Sequence, residues 1–286
     1  MLFLQLLMDG LVSGCAVGVV AISFSLVYST TRVFHVAHAA VFTIAGYIAW
    51  YSATMGVPFG IALVLSVAGC AAVGALIQKY LYEYLDRRSA TPLVLLIASL
   101  GTLTILTNLA AAIFTADILR FPNGWRLAAV GFGGINLSYA QIGIVVSSLI
   151  LLFGILAFTR RTLLGKRIMA VASNPYLAEI TRLEPRKVFI YVMAIASGVV
   201  AVPGTLIAFD QALQPYTGIF VLLTAVISMI AGGIGSLTGA FVIAIGICVL
   251  QNVSLVVMSG QWGIAATFGL FILFMLVRPE GLFRKN

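Results

Sequence analysis

Long apolar runs separated by short polar breaks set the pattern of this chain. A membrane-spanning helix needs about 20 mainly apolar residues. Runs of that kind fall at 4–28, 34–54, 58–82, 92–115, 141–158, 188–209, 218–233, 237–257 and 262–277. The second holds His35, His38 and Gly46, and the seventh is short and ends in Ala231-Gly232-Gly233-Ile234-Gly235. These two are candidates for broken or re-entrant spans, a form tolerated at membrane depth when protein surrounds it. The pattern predicts an all-α, polytopic integral membrane bundle of about eight to ten transmembrane helices. No linker, low-complexity stretch or internal repeat divides it, so residues 1–286 read as one domain.

Two polar stretches interrupt the runs. Residues 116–140 contain Pro122-Asn123-Gly124 and Gly131-Phe132-Gly133-Gly134, turn chemistry that predicts a lid-like excursion. Residues 159–187 are the longest polar passage and hold Arg160, Arg161, Lys166, Arg167, Arg182, Arg186 and Lys187. Within them, Asn174 suits an N-cap and Pro175 the first helical position. A short helix is therefore predicted over 175–182, with Leu177, Ile180 and Leu183 as an apolar stripe and Glu179 and Arg182 beside it. Such a helix either lies at the membrane interface or inserts into a partner's groove.

Charge fixes an orientation. Only 8% of the residues are charged and 62% are hydrophobic, against about 25% charged in a soluble domain. With the N-terminus outside and nine crossings, 14 of the 16 Lys and Arg fall inside. Only Arg120 and Arg126 fall outside. That bias predicts an N-out, C-in protein. It also accounts for the net charge of +8 without nucleic acid as a partner.

Candidate chemistry is sparse. Cys15, Cys70 and Cys248 lie inside apolar runs and offer neither a disulfide framework nor a metal pattern. Val12-Ser13-Gly14-Cys15 resembles a lipoprotein cleavage box, but no basic residue precedes it. Leu4–Tyr28 is therefore read as a retained span. No phosphate loop exists: Gly165-Lys166 is followed by Arg167, and residue 160 is Arg. His35-x-x-His38 shares a helix face but has no nearby third ligand, so packing or interfacial roles are expected rather than metal. Asp9, Asp117 and Asp210 sit near outer span ends and the histidines near an inner end, with no ionisable group expected at mid-depth. A proton-coupled carrier needs such a relay. The pattern favours a pathway driven from outside over a secondary carrier or channel, and over a membrane enzyme built on the histidine pair. Polar candidates for a pathway are Asn108, Asp210, Gln214 and Tyr216, with Thr224 and Ser228 one turn apart. Their plain alternative role is to satisfy backbone or neighbouring helices. Small-residue pairs at Gly14/Gly18, Gly56/Gly60 and Gly235/Gly239 suit close helix contact.

In order along the chain stand Gly10, Gly14 and Tyr28, Ala37-His38, Gly101 and Asn108, and then Gly165, Ala170, Ala172, Asn174 and Ala178. Pro215-Tyr216-x-Gly218, Gly232-Gly233-Ile234-Gly235-Ser236, Gly239-Ala240 and Arg278-Pro279-Glu280-Gly281-Leu282 follow. In this order the chain resembles the shorter membrane permease subunit of ABC importers for branched-chain amino acids, over essentially its whole length. The resemblance implies a non-catalytic subunit of the bacterial inner membrane that binds no cofactor itself. ATP and Mg²⁺ would lie on two cytoplasmic ATPase subunits. A second homologous permease, expected to be a different chain, and a periplasmic or extracellular binding protein complete the set, within membrane lipid. It further implies that Asn174, Pro175, Leu177, Ala178, Glu179, Ile180 and Leu183 couple to the ATPase. Gly232, Gly233, Gly235 and Gly239 would be structural. The chain departs from the family pattern at Ala39, Met169 and Arg182-Leu183, and at Thr224, where many members carry Lys. Related permeases handle urea, short amides and small organic acids.

Overall fold

The computed structural model describes residues 2–122, 129–132, 135–257, 260–278 and 281–283. Helix α1 covers Leu2–Thr31, α2 His38–Thr54 and α3 Phe59–Leu76. Helix α3 continues through a π-helical turn, Ile77–Tyr82, into α4, Glu83–Arg87. Then come α5 (Pro92–Phe114), α6 (Tyr139–Arg161), α7 (Leu163–Ser173), α8 (Pro175–Ile180), α9 (Pro185–Asp210), α10 (Thr217–Gly232), α11 (Leu237–Ser254) and α12 (Gly260–Val277). Each predicted apolar run carries a helix. Among the described residues six helices are long and apolar enough to cross a membrane, and α10 is a shorter apolar helix.

The helices share two ends. At one, strands β1 (Ala129–Phe132) and β2 (Ile135–Ser138) pair as an antiparallel hairpin, Ala129 opposite Ser138. There Gln5 of α1 donates to Asn136 O, and Trp50 Nε1 of α2 donates to Arg120 O, each at 3.0 Å. Leu119 and Leu213 form a bridge beside them. The turn expected at 123–124 and the Gly133-Gly134 pair lie outside the described residues, as do Arg126, Pro279, Glu280, Arg284 and Lys285. At the other end, α8 and α7 pack under α1 and α9 through Val27, Ile168, Val171, Ala178, Val188 and Val192.

Helix α1 forms the centre, buried over most of Gly10–Val27. Its glycine face makes this possible: a Cβ on Gly14 would sit 2.6 Å from Ile245 Cα, and one on Gly10 2.7 Å from Val249 Cα. The pair Gly56/Gly60 behaves otherwise, since nothing lies within 4 Å of either Cβ position and Gly56 instead takes a turn with φ 77°. The close contact expected there does not form.

The second span is broken. Ser66 Oγ and Cys70 Sγ of α3 donate to Ala45 O and Val41 O of α2. Cys70 lies eleven residues from one end of the Phe59–Arg87 run and seventeen from the other. Helix α2 therefore begins well inside the bundle, and residues 32–37 reach it without helical structure.

Candidate functional site

The polar stretch near α8 folds more than its sequence foretells. Helix α7 was not expected. Thr162 caps it by accepting from Gly165 N at 3.0 Å, and Gly165, Ile168 and Val171 face inward. Asn174 Oδ1 then accepts from Leu177 N at 3.1 Å, with Pro175 at the first turn of α8. Ala178 is buried, whereas Tyr176, Leu177 and Ile180 stand out, Leu177 57% and Ile180 64% exposed. Leu183 leaves the predicted stripe. The helix stops at Ile180, Arg182 adopts φ 62°, and Leu183 turns in to pack with the cluster around Ala178. The outward apolar face is thus Tyr176, Leu177 and Ile180. Glu179 is exposed beside it and lines a groove of about 880 Å³ with Tyr176, Arg182 and Arg186. An ion pair from Arg186 to Asp86 at 4.0 Å ties α9 to α4, though an exposed pair of this kind contributes little.

Asn174→Ala removes the cap at a cost of about 1 kcal/mol, roughly fivefold in local opening. The Leu177 amide is expected to exchange with deuterium faster by that factor. Unchanged exchange at Leu177 would refute the cap's role.

At the hairpin end the predicted pathway residues separate into groups. Tyr216 OH donates to Asn108 Oδ1 at 3.3 Å, and Asn108 Nδ2 donates to Thr104 O at 2.7 Å. Asp210 Oδ1 accepts from Ser138 Oγ at 2.6 Å. It stands in a cavity of about 290 Å³ with Asp9, Ser13, Gln141, Gln211 and Asn252. A second cavity of about 350 Å³, shared at Asp210 and Gln211, reaches Arg120 and Ser138. The sequence reading missed Ser13, well inside the first span, and Gln141, Gln211 and Asn252, whose signal is a polar residue close to a span end. Gln214 is exposed beside α10. Ser228 is fully buried and its hydroxyl donates to Thr224 O at 2.7 Å, while Thr224 Oγ1 donates to Phe220 O. The two hydroxyls are thus satisfied within α10. At the far end of that helix Gly233 and Gly235 have φ of 97° and 88°, and Gly232 abuts Gly239 backbone. This reversal needs residues without a Cβ.

The histidines are not interfacial. His38 Nε2 lies 2.8 Å from Ser23 Oγ, eight residues inside the end of α1, and His35 Nδ1 lies 2.7 Å from Tyr82 OH. Both are 0% exposed. The expectation of no ionisable group at mid-depth fails at His38, because α2 starts inside the bundle. Among the described residues no three His, Cys, Asp or Glu gather as a metal site.

Residues 6–278 match the family described as branched-chain amino acid transport system / permease component. The high-affinity branched-chain amino acid transport system permease protein BraD of Pseudomonas aeruginosa is 26% identical, covering 98% of this chain and 95% of BraD. The corresponding permease protein LivH of Escherichia coli is 23% identical over 98% of this chain and 95% of its own length. Among solved structures, PsaBC from Streptococcus pneumoniae in complex with Fab is similar with a TM-score of 0.52 and 15% identity. That match covers 97% of this chain and 92% of the other, a likeness of fold. The apolar helices and the family together make this a multi-pass inner-membrane protein. On a match that runs nearly end to end, the chain belongs to the permease component family of branched-chain amino acid transport systems.

Proposed function

We propose that this chain, as one permease domain over residues 1–286, is the membrane subunit of an ATP-binding-cassette importer. Its solute is a branched-chain amino acid or a related small polar molecule such as urea, an amide or a small organic acid. The hairpin end faces outward and the α8 end faces the cytoplasm, which puts the cationic loops inside. Two ATPase subunits carry ATP and Mg²⁺ and dock on α8. A second, similar permease, a different chain, completes the pathway, and an external binding protein delivers solute. This chain performs no chemistry of its own and holds no cofactor. The observation that carries the reading is the capped α8, whose buried Ala178 ties it to the span bundle while Tyr176, Leu177 and Ile180 stay exposed. An exposed apolar face on a short helix is the shape of a segment that fills a partner's groove. Asp9, Asn108, Asp210, Gln211 and Tyr216 form the polar outer entrance.

Affinity purification from the native membrane, followed by reconstitution, tests this. ATPase subunits and a second permease should co-purify, and uptake should require ATP and the binding protein. Uptake by the chain alone, with an ion gradient or none, would replace the importer with a carrier or channel.

A further inference from the structure

The broken second span contains a hydrogen-bonding arrangement that the transport reading leaves unused. Residues 32–37 leave helical geometry without a Pro or Gly among them. Non-helical backbone at membrane depth persists only where its polar groups find partners, and Ala37 N donates to Ser99 Oγ of α5 at 3.0 Å. One imidazole anchors the break from within and one from the start of α2. His35 bonds Tyr82, at the end of the π-helical turn, and His38 bonds Ser23 of α1.

One placement of the protons satisfies both histidine contacts. Ser23 Oγ gives its one hydrogen to Val20 O at 2.8 Å. In this placement it accepts from His38 Nε2–H, and His38 Nδ1 is a bare acceptor. The Tyr82 phenol is the more acidic partner and donates to His35 Nδ1, leaving His35 Nε2–H a donor. These two remaining atoms are buried and without a partner. Their rings lie 5.6 Å apart, centroid to centroid. In that placement a donor and a matching acceptor lie in neighbouring rings without bonding each other.

The break also lies between α8 and α10. Tyr82 and Val33 belong to the cluster that packs Ala178 of α8. Beyond the break, Thr43 Oγ1 of α2 accepts from Gly218 N at the start of α10 at 3.2 Å.

We propose that His35 and His38 are a buried two-position switch. The pair is unbonded here and joins, His35 Nε2–H to His38 Nδ1, when α8 shifts, so that the shift is passed to α2 and α10. The proposal rests on α8 being the ATPase contact.

Tyr82→Phe tests it. The ring keeps its packing, but His35 loses the donor that fixes its proton. The complete assembly is placed in proteoliposomes, and ATP hydrolysed per solute moved is measured. We expect assembly and ATP hydrolysis to stay near wild type, with a lower melting temperature because His35 Nδ1 loses its buried partner, while ATP per solute rises about tenfold, the scale of one buried hydrogen bond. His38→Gln, which keeps an N–H and an acceptor, should couple better than His38→Leu. Wild-type stoichiometry in Tyr82→Phe, or equal loss in the two His38 variants, would overturn the switch. If wild-type assembly itself hydrolyses ATP without driving uptake, the importer reading falls and the switch with it.

Discussion

Leu177→Asp is expected to abolish ATP-driven uptake while leaving the permease folded. Leu177 is 57% exposed in the chain alone, so a carboxylate there is solvated and costs the permease little. In a docked complex the same carboxylate would enter an apolar groove, at a cost of about 3 kcal/mol or more. That weakens docking by about a hundredfold. Three measurements separate the outcomes: thermal stability of the permease, ATPase co-purification and uptake. Stability should hold while the other two fall together. Leu183→Asp is the contrast, because Leu183 packs inward against the Ala178 cluster. It should lower the stability of the permease itself. Normal assembly and transport by Leu177→Asp would show that α8 is not the contact.

The contrast between Leu177 and Leu183 also marks where sequence reading stops. Spacing of three placed both leucines on one stripe, and the N-cap and Pro175 located the start of α8 to the residue. The stripe failed at its end because a single left-handed residue, Arg182, closes the helix, and no Gly announces it. The apolar runs located the spans well, since a bilayer demands length and hydrophobicity and little else. They could not show that α2 starts at mid-depth. The stretch from Val33 to Ala37 has no Pro or Gly to mark a break; Ser99 and Tyr82, distant in sequence, hold it open. Helix α7 was hidden for the opposite reason. Lys166 and Arg167 make the stretch look like a loop, although Ile168 and Val171 supply an inward face. The cavity at Asp210 was legible only in fragments. Asp9, Gln141, Asp210 and Asn252 come from four helices, and each alone reads as a polar residue near a span end.

Gly14→Val is expected to be among the most damaging single changes in the fold. In a membrane, helices gain little from hiding apolar surface from each other, and close packing of small residues carries much of their association. Gly10, Gly14 and Gly18 form one face of α1 against α11. At Gly14 the added Cβ would lie 2.6 Å from Ile245 Cα and 3.3 Å from its Cβ. A backbone atom cannot rotate aside, so α11 must move, and with it the contacts of Gly10 and Gly18. Overpacking typically costs about 1–3 kcal/mol where side chains can adjust. Here the upper part of that range is expected, equivalent to a fall in Tm of roughly 2–4 °C per kcal/mol. Gly60→Val provides the internal reference, because nothing lies within 4 Å of its Cβ position. It should be neutral, since removing a helical Gly offsets any loss. Thermal unfolding of the two variants in one detergent measures the difference. Equal melting would mean that α1 and α11 do not meet through their glycine face. The central position of α1, on which the placement of His38 and of the Asp210 cavity depends, would then be wrong.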